Sequence, residues 1–137
     1  MSERKPIGLL DTRTLIDIED IPDERLPIVS EVCAISMAEL MMGVHMARDA
    51  ADRSARITKL LTVGANFDPL PFGDKATNSF NALVGLTVAI GRNPKPRKND
   101  LMIAATAVAN GLPLYTANID EFKGLESMLE VVEVRRR

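Results

Sequence analysis

Asp100 is the residue around which chemistry could be built. It stands in Asn99-Asp100-Leu101-Met102-Ile103-Ala104-Ala105-Thr106-Ala107, a run apolar except for Thr106, directly after Arg97-Lys98. A carboxylate at the start of a buried helix either caps that helix or holds a cation. Asn99 beside it can do the capping, which leaves Asp100 to be read as a ligand if other acids converge on it. Asp11 directly follows the apolar run Ile7-Gly8-Leu9-Leu10, Glu39 lies four residues past Ile35, and Asn118 and Asp120 follow Leu114-Tyr115-Thr116.

Taken singly, these acids have ordinary explanations. Ser36-Met37-Ala38-Glu39 and Asn118-Ile119-Asp120-Glu121 both match the capping-box pattern. Together they do not, because two carboxylates about 4 Å apart repel by roughly 4 kcal/mol at an effective dielectric of about 20. Three or four share a pocket only when protonated or neutralised by a cation. With one His and one Cys in the chain, the donors are oxygens, which suit Mg²⁺ or Mn²⁺ and not zinc. Acidic residues holding Mg²⁺ point to phosphate chemistry.

The elements that must position these acids follow from pattern. Ile7 to Leu10 and Val29 to Ile35 are apolar runs of strand length, Leu114 to Thr116 is a short strand, and Met128 to Val134 is a valine-rich closing strand. Helices are expected from Ser36 to about Asp49, Ala51 to Val63, Asp74 to about Ile90, and Asn99 to Asn110, the last stopped by Gly111 and Pro113. Ile18 to Pro27 reads as a surface loop with room for one helical turn, Gly91 to Lys98 as a loop, and Phe67 to Phe72, with two prolines, as extended chain. Strands alternating with helices predict an α/β, three-layer fold: a small, mainly parallel sheet flanked by helices. In such sheets ligands bind beyond the carboxyl ends of the strands. Asp11, and Asn118 with Asp120, follow strands, and Glu39 lies in the first turn after one. Asp100 follows no obvious strand but opens a helix that feeds straight into one, so several of these helix starts should share one sheet edge.

Composition bounds the rest. The 137 residues fit a single domain, 1–137, and 46% hydrophobic content supports a packed core built on aliphatic side chains. A net charge of −2 argues against holding nucleic acid by bulk charge alone. It leaves room for a local basic rim such as Arg92, Lys95, Arg97 and Lys98. The one cysteine, Cys33, reads as a small buried apolar residue and excludes an intrachain disulfide. Neither a signal peptide nor a membrane-spanning run is expected, which suits a cytoplasmic protein.

These residues in this order resemble a known family. Leu10-Asp11-Thr12, Ile35-Ser36-Met37-Ala38-Glu39-Leu40 with Gly43, Asn99 to Ala107, and Leu114-Tyr115-Thr116-Ala117-Asn118-Ile119-Asp120-Glu121-Phe122 look like a PIN-domain ribonuclease. More narrowly, they are similar to the VapC toxins of bacterial toxin–antitoxin pairs. The resemblance covers essentially the whole chain. It implies a PIN-like fold, Mg²⁺- or Mn²⁺-dependent cleavage of RNA, a homodimer, and neutralisation by a VapB-like antitoxin. By position, Asp11, Glu39 and Asp100 match the first three acids. The fourth is implied at Asn118 or two residues later at Asp120, with Thr116 as a hydroxyl beside the metal.

The chain departs from the family at two positions. Arg13 puts a guanidinium where it either competes with a metal for Asp11 or holds an RNA phosphate. Asn118 removes one negative charge. Both keep open an alternative, a catalytically weakened PIN-like protein that binds RNA or antitoxin. A phosphatase of the haloacid dehalogenase type starts like Asp11-Thr12-Arg13-Thr14, but its second Asp is Arg13 here. Arg97 and Lys98 are candidate phosphate contacts. Met42 and Met46 lie off the stripe formed by Met37, Leu40, Met41 and Val44, as either core or partner surface. His45 reads as a surface residue, and Arg135 to Arg137 as a solvated tail.

Overall fold

A computed structural model describes residues 4–135; the last two arginines of the tail and the first three residues lie outside it. Four strands form one sheet in the order β2-β1-β3-β4, every pair parallel: β1 (Ile7–Leu10), β2 (Val29–Glu31), β3 (Leu114–Thr116) and β4 (Val131–Glu133). Five helices connect them: α1 (Thr12–Ile16), α2 (Ala34–His45), α3 (Ala50–Asn66), α4 (Asp74–Ala89) and α5 (Lys98–Ala109). The three-layer α/β expectation holds.

Side chains alternate across a strand, so neighbours enter opposite layers. Leu9 and Leu114 pack with Leu83 of α4, Leu101 and Ile103 of α5, and Phe122. Leu10 and Tyr115 pack on the other face with Leu15 of α1, Leu40 of α2 and Val63 of α3. Helix α5 is buried nearly all round, from Leu101 to Ala107. Its one polar interior residue, Thr106, satisfies its hydroxyl by donating to the Met102 carbonyl at 2.9 Å.

Several boundaries differ from expectation. Strand β2 is three residues long, not seven, because the chain turns into α2 at Ala34. Phe67 to Phe72 is extended as expected, and it docks there: Leu70 donates to Val32 O at 2.9 Å and Ala34 donates to Leu70 O at 2.8 Å. The closing strand covers only Val131–Glu133, since backbone bonds from Met128 and Leu129 to Leu125 O form a turn ahead of it. Gly111, at φ +65°, ends the α5 segment and turns the chain into β3.

Candidate metal centre

The central strand β1 delivers Asp11 to the carboxyl edge of the sheet, where the buried carboxylate caps α1 by accepting the Thr14 N–H at 2.9 Å. The cap uses Oδ1, so capping and ligation are not exclusive. Glu39 arrives one turn into α2. Its expected capping box is not formed: α2 begins at Ala34 with Cys33 as N-cap and no side-chain cap bond. Ser36 is instead buried and shares a 2.8 Å hydrogen bond with Thr12 Oγ1. The Thr12 hydroxyl lies 2.5 Å from Glu39 Oε1, and Asn99 Nδ2 donates to Glu39 Oε2 at 3.3 Å. Asn99 therefore orients Glu39 and does not cap α5, whose N-cap is Arg97.

Asp100 lies in the first turn of α5. Burial pushes its carboxyl up to about 6, with further upward pressure from the charges of Glu121, Asp11 and Glu39, against the opposing charge of Arg97. Asp100 is thus within electrostatic reach of Asp11 and Glu39, and the strongest neighbouring negative charge is that of Glu121, which the sequence did not single out. Asp120 does not join them. Its carboxylate is 73% exposed and is held by Arg92, Nη2 to Oδ2, at 3.0 Å. The physical reason lies in the short 3₁₀ turn Ile119–Phe122: Phe122 is buried in the core, which leaves Glu121 partly buried and Asp120 outside.

The remaining residues find definite places. Thr116 is fully buried, and its Oγ1 accepts the Asn118 N–H at 3.1 Å, so its hydroxyl shapes the turn after β3. Asn118 is exposed and makes no side-chain cap bond, so the second capping box is absent too. Arg13 pairs with Asp17, Nη1 to Oδ1, at 3.8 Å. Lys95 and Lys98 line a cleft of about 250 Å³ together with Glu39, Asn99 and Asp100. Arg97 is drawn inside, 3.6 Å from Glu121 Oε2. The basic run is therefore divided: two arginines pair with acids and two lysines flank the opening.

Glu121 escaped sequence reasoning because it and Asp120 are adjacent acids, and only the burial of Phe122 tells them apart. Thr12 was also missed as the tie between two helices; a hydroxyl directly after the first acid was the available signal. Elsewhere Cys33 is buried, with its thiol pushed up by burial. His45 is exposed, as expected. Met42 and Met46 are 68% and 69% exposed, so they are surface and not core, and Met41, expected in the core stripe of the helix, is 52% exposed as well.

As the side chains stand, no three His, Cys, Asp or Glu residues among those described converge tightly enough to hold one ion. Each acid is directed by its own neighbour: Asp11 by the Thr14 amide, Glu39 by Thr12 and Asn99, Glu121 by Arg97. The donor set is nonetheless all oxygen, strongly acidic and partly desolvated, the chemistry that suits a hard divalent cation. No helix among the described residues is long and apolar enough to cross a membrane.

Comparison with known proteins gives this geometry its context. No family model matches the chain. Ribonuclease VapC5 of Mycobacterium tuberculosis is 31% identical over 138 residues, 98% of this chain and 99% of the relative. Ribonuclease VapC1 of Rickettsia felis is 30% identical, with 75% of each chain covered. Among solved structures, VapBC-5 from Mycobacterium tuberculosis, a member of the VapBC family of toxin–antitoxin systems, superposes with a TM-score of 0.83. That match has 30% identity over 94% of this chain and 99% of that one. With near end-to-end coverage and the acids at the carboxyl edge of the sheet, the chain belongs to the VapC ribonuclease family.

Proposed function

We propose that this protein is an endoribonuclease toxin whose pocket of Asp11, Glu39, Asp100 and Glu121 holds Mg²⁺ or Mn²⁺ and hydrolyses RNA phosphodiesters. The observation that carries the metal reading is the crowding at Asp100, whose ionised form is opposed by burial and by three neighbouring carboxylates. Such a pocket is costly to maintain unless a cation repays it. When bound, a divalent ion supplies Lewis-acid polarisation of the phosphoryl group and a more acidic water.

The chain's own residues supply placement. Thr12 and Asn99 hold the two oxygens of Glu39 in a fixed orientation, so the carboxylate is ordered before any ligand arrives. Asp11 is fixed by the α1 amide. Lys95 and Lys98 at the opening offer phosphate contacts beside Asp100. Arg13 has an acid other than Asp11 to pair with, Asp17 at 3.8 Å, which supports the catalytic reading over the weakened one.

The partner reading follows from the relatives, which include a structure from the VapBC family of toxin–antitoxin systems. A VapB-like antitoxin neutralises this chain, and the chain forms a homodimer in the cytoplasm. Exposed Met42 and Met46 line a cleft of about 470 Å³ with Ile35 and Met102 beside Glu39, an apolar surface a partner could cover. The test of the enzymatic reading is cleavage of RNA by the purified chain in Mn²⁺. EDTA or Asp100→Asn should abolish it, and cleavage that survives either would overturn the metal assignment.

A further inference from the structure

Arg97 is placed unlike the other cations of its run. Its side chain is only 23% exposed, and its Nε lies 3.6 Å from Glu121 Oε2. Among the described residues that buried nitrogen has no hydrogen-bond partner, while Nη1 of the same guanidinium donates to Asn93 O at 3.3 Å. It stands at the N-cap of α5, three residues before Asp100. A buried N–H left without an acceptor is costly, so this pairing is a loose one held by charge. By contrast, Arg92 is joined to Asp120 by two hydrogen bonds, of 2.6 and 3.0 Å.

We infer that Arg97 is a displaceable latch on Glu121, so that a divalent cation entering the acid pocket must compete with its guanidinium. The inference rests on the metal reading above and adds a regulatory residue to it. A guanidinium and a metal ion make the same electrostatic demand on a carboxylate, and Glu121 cannot meet both at full strength. The latch therefore lowers the apparent metal affinity by the fraction of time it is closed. Arg97 acts here as a positioning residue, through Glu121.

The test is Mn²⁺ binding to the full chain, followed by loss of the free-ion electron paramagnetic resonance signal, and so independent of cleavage. Wild type, R97Q, E121Q and the double variant are compared at fixed ionic strength. R97Q should bind Mn²⁺ tighter by roughly threefold or more, the scale of a partly exposed ion pair. E121Q should bind more weakly, and R97Q should bring little further gain in that background. An equal gain in both backgrounds would make Arg97 a general repulsive charge and overturn the latch, as would no gain in either. Should R97Q lose its fold, R97M repeats the comparison. Wild type that takes up no more Mn²⁺ than D100N would overturn the metal reading itself, and the latch with it.

Discussion

Arg92 and Asp120 form a closed pair: Nη2 meets Oδ2 at 3.0 Å while Nη1 donates to the carbonyl of Asp120 itself at 2.6 Å. The guanidinium grips both the backbone and the side chain of one residue, and so holds that carboxylate in an exposed position. Adjacent in sequence, Glu121 takes the inner place.

That division predicts opposite outcomes for neighbouring substitutions. Asp120→Asn should lower RNA cleavage by less than about threefold, whereas Glu121→Gln should lower it by more than about tenfold. Initial rates at saturating Mn²⁺ measure both. The reverse order would return the fourth acid to Asp120.

Thr12 bridges α1 and α2 through Ser36 and Glu39. Thr12→Val keeps the shape but removes the hydroxyl, leaving the buried Ser36 without that partner. A loss of roughly 1–3 kcal/mol in urea unfolding is expected. Cleavage should fall as well, because Glu39 loses one of its two tethers. Unchanged stability would show that the hydroxyl is not a structural tie.

Asp100 gives a pH-dependent prediction. Its carboxyl rises from an ordinary 3.8 to about 6 on folding, chiefly through burial. The folded state thus binds that proton more tightly than the unfolded state. The stability so contributed is fully present below about pH 4 and is lost as pH rises through about 6. Asp100→Asn should therefore stabilise the chain in EDTA at pH 8, by about 1 kcal/mol once partial exposure is allowed for. The gain should vanish near pH 4, and calorimetry at the two pH values measures it. A variant less stable at pH 8 would remove the case for a strained pocket.

Gly8 of β1 is closely approached by the Tyr115 ring. A Cβ there would stand 2.6 Å from Tyr115 Cε1 and 3.2 Å from Pro27 Cβ. Gly8→Ala should cost roughly 1–3 kcal/mol, because the Tyr115 ring is itself buried in the core and has little room to move. Thermal melting would read the loss; an unchanged midpoint would show that the ring yields freely.

Much of the architecture was legible from residue order alone. The runs Ile7 to Leu10 and Leu114 to Thr116 are strands because apolar residues at strand length are bounded by turn-forming ones. Helix α5 could be read from an apolar run closed by Gly111. That Asp11 and Glu39 lie within electrostatic reach of Asp100 was expected from helix starts sharing one edge of a parallel sheet. Capping was where local pattern misled. Ser36 and Asn118 match cap signatures, yet Ser36 is drawn into the interior by Thr12, and Asn118 donates its backbone N–H to Thr116.

The sequence by itself determined a parallel α/β domain with three acids at one sheet edge, since periodicity and chain direction are local properties. Only the tertiary structure decided which of two adjacent acids lies nearer Asp100, that Arg13 pairs with Asp17, and that Arg97 lies inside while Lys98 lies at the rim. Those choices depend on partners far apart in the chain, Arg92 with Asp120 and Arg97 with Glu121, and on the burial of Phe122. Charge pairing and burial are set by the packed surroundings, and residue order does not carry them.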